Sequence, residues 1–177
     1  MRNLFGPAQL WSMQSDIGRV RAPELAAVNA GSDWIGLRDQ MIAVVNRLFE
    51  SYAPAGLSWV GFYIDTVGAP DGERLILGPC RNSPACSPIG LHGACGQCLL
   101  SGKPLLIADV RTLGANYIAC DPRDRSELVL PCFDRAGRVW AVLDADSHAV
   151  GHFTTAHVEQ MTTILQEAAL TCPRPHG

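Results

Sequence analysis

The chain carries seven cysteines, Cys80, Cys86, Cys95, Cys98, Cys120, Cys132 and Cys172, an odd number that intramolecular disulfides alone cannot use up. Structural disulfides do not persist in a reducing compartment, so in a chain without an export signal some of these thiols are expected to be redox-active or to bind metal. Cys86 and Cys120 fall in polar loops, which favours redox function over burial, whereas Cys95 is evenly balanced between the two. Cys80 and Cys132 sit in strand-like apolar runs where cysteine serves as a small apolar residue, and Cys172 lies near the C-terminus; no role is assigned to them. Cys95-Gly96-Gln97-Cys98 has CxxC spacing and would, with Cys86 and His92, offer zinc ligands. No second CxxC or HxxxH pair completes the set, so no metal is expected. His92, His148, His152, His157 and His176 read as surface or loop residues.

These thiols need elements to position them. Ser32-Asp33 offers a helix cap, after which Trp34, Leu37, Met41, Val44, Val45 and Leu48 follow three- and four-residue steps, predicting a helix with one buried face that ends near Tyr52, before Pro54. Trp59 to Ile64 is rich in aromatic and β-branched residues and pairs through a Pro70-Asp71-Gly72 turn with Leu75-Ile76-Leu77 as a hairpin. A long Gly- and Pro-rich loop from Pro79 then leads into a short helix from about Gly93 to Ser101. Leu105-Leu106-Ile107 reads as a short strand, and residues 109–124 as an irregular polar loop holding Cys120. Leu128-Val129-Leu130 and Val139 to Leu143 form a second hairpin around Asp134-Arg135-Ala136-Gly137. It continues as Asp144-Ala145-Asp146, whose alternation sends both carboxylates to the same side. A last helix, capped by Thr154 or Thr155, carries Val158, Met161, Ile164, Leu165 and Ala168 on one face and should stop at Pro173. With mostly antiparallel neighbours and no βαβ alternation, the class is α+β.

At 177 residues with 47% hydrophobic content the chain suits one compact domain. Residues 1–30 read as an N-terminal extension with a short helix over Glu24 to Asn29, residues 31–172 as the domain, and 173–177 as a tail. A net charge of −3 with no basic run argues against nucleic acid as a partner. Neither a secretory h-region at Met1 to Pro7 nor a bilayer-spanning stretch is present, which leads to the expectation of a cytoplasmic protein away from membranes.

Several segments together carry a resemblance. They are Ser58-Trp59-Val60-Gly61-Phe62-Tyr63, Leu77-Gly78-Pro79, Ala85-Cys86, Gly93-Ala94-Cys95-Gly96, Ile118-Ala119-Cys120-Asp121, Ser126-Glu127, Val142 to Ser147 and Gly151-His152-Phe153-Thr154. In this order, over roughly residues 32–168, they resemble the free methionine-R-sulfoxide reductases, which are GAF-domain enzymes. The resemblance implies a single GAF-like domain, a central antiparallel sheet flanked by helices packed across one side, and often a homodimer. It matches Cys120 to the cysteine that attacks the substrate and Cys86 and Cys95 to the other active-site cysteines, with Cys86 the principal resolving thiol. Trp59 and Tyr63 match aromatic pocket residues, and Glu127, Asp144 and Asp146 the carboxylates that hold substrate.

The residue types suit that chemistry. A thiolate attacks the sulfoxide sulfur while an acid, Glu127 or Asp146, protonates the oxygen; the resulting sulfenic acid is then closed to a disulfide by a second thiol. An external dithiol, thioredoxin, would reopen it, and no bound cofactor is required. Asp144 suits the ammonium of a free amino acid, and Trp59 and Tyr63 its methyl group and stem. The chain departs from the family pattern in a Cys86-to-Cys95 segment one residue shorter, in His92 where a basic residue is expected, and in the additional Cys98, a competing resolving thiol if its helix faces the site. Two other readings stay open: a non-catalytic GAF module that binds a small ligand or senses oxidants, and a related enzyme acting on another small substrate.

Overall fold

The computed structural model describes residues 34–82, 84–116 and 120–173. The expected extension with its Glu24 to Asn29 helix, the Ser32-Asp33 cap, Ile118, Ala119 and the end of the tail lie outside these residues. Helix α1 (Trp34–Tyr52) leads through a short 3-10 turn into β1 (Leu57–Asp65) and β2 (Leu75–Arg81). Helix α2 (Ala94–Ser101), β3 (Leu105–Ile107), β4 (Ser126–Phe133), β5 (Val139–Ser147) and α3 (Thr155–Glu167) follow. The five strands form one antiparallel sheet in the order β2-β1-β5-β4-β3.

Period-two alternation gives the sheet two different faces. Val60, Phe62 and Ile64 of β1, Leu128 and Leu130 of β4 and Leu143 and Ala145 of β5 join Met41, Val45 and Leu48 of α1 and Met161 and Leu165 of α3 in the larger core. Trp59 and Tyr63, Val129 and Val142 point to the opposite face, where Ala94, Cys95, Cys98 and Leu99 of α2 cover them. The expectation that helices pack across one side is thus corrected. The terminal helices share one face, and α2 takes the other because its small and thiol side chains fill the space over Val129 and Val142.

Local signals account for the joints. Pro54 stops α1, and Gly56, at φ 122°, turns the chain into β1, a conformation in which a Cβ would be strained. Gly102 closes α2 in the left-handed region, its N–H donating to the Cys98 carbonyl at 2.9 Å. The last helix does not run to Pro173 as expected. It ends at Glu167 because Ala169 adopts φ 55° and reverses the chain, which buries Leu170 against the core. The Leu170 carbonyl then accepts from Trp140 Nε1 at 3.2 Å, and Cys172 N–H donates to the Phe133 carbonyl at 3.0 Å. At its start, His157 Nδ1 accepts the Thr154 N–H at 3.0 Å, which gives this histidine a capping role rather than a loop position.

Candidate active site

Three neighbouring strands place the acids and aromatics. Trp59 of β1 and Glu127 of β4 both stand opposite Asp146 of β5, while Gly61 and Val129 flank Asp144 two residues earlier. Trp59, Tyr63, Glu127, Asp144 and Asp146 therefore share one face, and all five line a single pocket together with Cys95 and Cys120. Gly61 is needed here for close approach: a Cβ would meet the Trp59 ring at 2.5 Å and Cys80 Cβ at 2.6 Å, so the indole lies across it. The Trp59 and Tyr63 rings stand 6.1 Å apart and tilted, an apolar wall beside the carboxylates.

Two loops bring the outer thiols together. Ile89 pairs both ways with Leu75, Ser87 Oγ accepts the Leu77 N–H at 3.0 Å, and the Tyr63 hydroxyl donates to the Cys86 carbonyl at 2.9 Å. The loop after β2 is thus pinned to the strands below it. From the other side, Arg125 N–H donates to the Ser147 carbonyl at 2.8 Å, and Ser58 Oγ donates to Asp124 Oδ1 at 3.2 Å. The two loops meet in a disulfide between Cys86 and Cys120, 34 residues apart, with a Cα separation of 5.5 Å. Cys95 remains a free, buried thiol in the pocket. Cys98, on the same helix, is also buried but lies outside the pocket lining.

The floor of the pocket is acidic, and Glu127 and Asp144 are buried in it. A sulfur of Cys95 and carboxylate oxygens of Glu127 and Asp144 lie within 4.8 Å of one another. Burial pushes the Asp144 carboxyl up to about 7, against the Cys95 thiol, which lowers it. Burial first, then the neighbouring Asp144 charge, holds Glu127 and Asp146 well above the usual carboxylate range. The Asp144 charge thus disfavours ionisation of Glu127 and Asp146, the direction of shift that a carboxyl acting as a general acid needs. Burial likewise pushes the Cys95 thiol up, with the Asp144 and Glu127 charges adding to it, so Cys95 is a poor nucleophile while the acids are ionised. Asp144 Oδ1 and Trp59 Nε1 are buried without a hydrogen-bond partner among the described residues, an acceptor and a donor positioned for a ligand that supplies both.

The raised Asp144 carboxyl makes a stability prediction. A carboxyl whose folded pKa lies above its unfolded value near about 4 stabilises fully below that value, and the contribution is lost as pH rises through about 7. Asp144→Asn is therefore expected to gain on the order of a few kcal/mol over the parent chain at about pH 8 and little at about pH 4. Urea unfolding at both pH values measures this; an equal loss at both would contradict the assignment.

One pocket acid was missed by the sequence reading. Asp124 is buried, lines the pocket, and is held by Ser58 and by His148, whose Nε2 stands 3.6 Å from Asp124 Oδ1 and 3.5 Å from Asp121 Oδ2. Burial raises its carboxyl, and the nearby Asp121 charge raises it further. Asp121 itself is held down to about 2 by its Arg123 partner and stays ionised. The available signal was a carboxylate four residues after Cys120 in the same loop; neither periodicity nor spacing says that its side chain turns inward.

The GAF domain family matches residues 39–172. The Zymomonas mobilis protein ZMO0507 is 36% identical over 67% of this chain and 70% of its own length. The free methionine-R-sulfoxide reductase of Escherichia coli is 35% identical over 55% of this chain and 56% of its own. The structure of free methionine-R-sulfoxide reductase from Neisseria meningitidis in complex with its substrate superposes with a TM-score of 0.63 at 25% identity, covering 95% of this chain and 94% of that one. The aligned stretches span about two thirds of the length of several of the curated relatives they match, from 63% to 70%. Among the described residues no helix is long and apolar enough to cross a membrane. A five-stranded antiparallel sheet, its helices and a family match over most of the chain agree: this chain belongs to the GAF domain family.

Proposed function

We propose that the chain catalyses thiol-dependent reduction of free L-methionine-R-sulfoxide to methionine, as its E. coli and N. meningitidis relatives' names describe for them. The observation that carries this reading is the Cys86–Cys120 disulfide at a pocket floored by Glu127, Asp144 and Asp146. In the reduced protein the Cys120 thiolate attacks the sulfoxide sulfur, and Glu127 or Asp146 delivers the proton that lets the oxygen remain on Cys120 as a sulfenic acid while methionine departs. The Cys86 thiol then attacks the sulfenic sulfur, releasing water and forming the disulfide. An external dithiol of the thioredoxin class reopens it by exchange, and the cycle needs no bound cofactor.

Selectivity for the free amino acid follows from the same pocket. The unpartnered Asp144 Oδ1 is an acceptor for the substrate ammonium, and the Trp59 and Tyr63 rings pack the methyl group and the side-chain stem. Cys95 stands behind the pair as a reserve thiol. A cytoplasmic setting, which supplies the reductant, and a homodimer complete the proposal.

The test is methionine release by reduced protein from separate R and S free methionine sulfoxides, with thioredoxin, its reductase and NADPH. Turnover of the R form alone is expected. Folded, fully reduced protein that turns over neither form would overturn the proposal and favour a ligand-binding GAF module.

A further inference from the structure

Cys95 is the one pocket-lining thiol that the disulfide leaves free among the described residues. Its sulfur and carboxylate oxygens of Glu127 and Asp144 lie within 4.8 Å of one another, and all three residues are buried. Zinc takes thiolate sulfur at about 2.3 Å and carboxylate oxygen at about 2.0–2.2 Å, which sets neighbouring ligand atoms about 3.5 Å apart around a tetrahedral ion. Closing on an ion would require the three side chains to draw together by about 1 Å. A second observation is independent of the spacing: Asp144 Oδ1 is buried with no partner among the described residues, although a buried carboxylate oxygen ordinarily accepts a hydrogen bond or binds a cation.

We propose that Cys95, Glu127 and Asp144 form a binding site for a thiophilic divalent cation of the zinc class, which occupies the pocket as an inhibitor rather than as a resident cofactor. This is not the zinc set that the CxxC spacing offered, because Cys98 and His92 take no part in it. One sulfur and two oxygens hold the cation, and a fourth position is left to solvent. Binding replaces the S–H bond of Cys95 with a sulfur–metal bond and displaces the protons carried by the Glu127 and Asp144 carboxyls; all of these protons pass to solvent, with no change of oxidation state. Mixed sulfur and oxygen donors favour zinc and cobalt over magnesium or calcium, which prefer oxygen alone. The two carboxylates are those that would contact substrate, so cation and sulfoxide exclude one another; this consequence rests on the reductase reading, whereas the binding itself does not.

The experiment titrates Co2+ into the disulfide form of the full chain and follows thiolate-to-metal charge-transfer absorption in the near ultraviolet, with Zn2+ added afterwards as competitor. One equivalent of Co2+ is expected to bind, with the band abolished on addition of Zn2+. Cys95→Ser should lose the band, and Asp144→Asn should weaken binding by about 100-fold or more, since even residues that only support metal ligands contribute 10–100-fold. Cys172→Ser, a thiol outside the pocket, should leave both unchanged. Circular dichroism establishes that each variant is folded. A band retained in folded Cys95→Ser, undiminished affinity in Asp144→Asn, or no binding by the parent chain would each overturn the site. Cation binding by a protein that reduces no sulfoxide would defeat the reductase reading alone, and sulfoxide turnover without cation binding would defeat the cation site alone.

Discussion

Cys120→Ser is expected to lower methionine release from free methionine-R-sulfoxide by at least about three orders of magnitude, because removing a covalent nucleophile costs an enzyme that much or more. Serine places a hydroxyl at the same point, and at neutral pH that group is far less ionised and less nucleophilic toward sulfur than a thiolate. The variant also loses the Cys86–Cys120 bond, so a second substitution is needed to separate chemistry from cross-linking. Cys86→Ser removes the same bond but leaves the proposed nucleophile. With excess substrate and no external reductant it is expected to release about one equivalent of methionine in a burst, whereas Cys120→Ser releases none. Quench-flow with amino-acid analysis reads both. A burst from Cys120→Ser and none from Cys86→Ser would exchange the two roles.

Gly96→Ala is expected to destabilise the fold although alanine is the better helix former. Within a helix the change ordinarily gains about 0.8–1.0 kcal/mol. Here a Cβ would stand 2.3 Å from both Cα and O of Leu91 and 2.4 Å from its carbonyl carbon, all backbone atoms that no rotamer change can remove. Leu91 has little freedom to retreat, since its N–H donates to the Asp71 carbonyl at 2.9 Å and Ile89, two residues before it, is bridged to Leu75. The clash costs about 3 kcal/mol or more, which exceeds the helical gain severalfold. A drop in Tm of about 5 °C or more is expected for a domain of this size. Because Cys95 precedes Gly96 on α2 and lines the pocket, turnover should fall with it. A Tm that is unchanged or raised would show that α2 shifts freely over Leu91.

Much of this fold was legible because its signals are local. The stepwise apolar face from Leu37 to Leu48, the Trp59 to Ile64 run, the Leu105-Leu106-Ile107 strand and the short α2 all occur close to where period, turn residues and caps place them. β4 is longer than its apolar run suggests, Ser126–Phe133 against Leu128 to Leu130, because Glu127 faces the pocket and buried Ser126, on the other face, donates to the Ala149 carbonyl, so both polar residues break the run at its start without facing solvent. The end of α3 was misplaced because Pro173 is a strong local stop, while the actual reversal at Ala169 is driven by burial of Leu170 and the Trp140 hydrogen bond to it.

The sequence alone determined the antiparallel α+β architecture, the two cysteine-bearing loops and the common direction of Asp144 and Asp146, since each follows from chain-local periodicity. The motif resemblance added the identities of the remaining candidate residues. Only the tertiary structure decided that Trp59 and Glu127 flank Asp146 across three strands, that Cys86 meets Cys120, that Asp124 turns into the pocket and that Cys98 stays out of its lining. It also decided that α2 and the terminal helices cover opposite faces of the sheet. The physical reason is shared: register, loop closure and burial are set by partners tens of residues away, and the raised carboxyls of Glu127, Asp144 and Asp146 exist only once the fold has buried them.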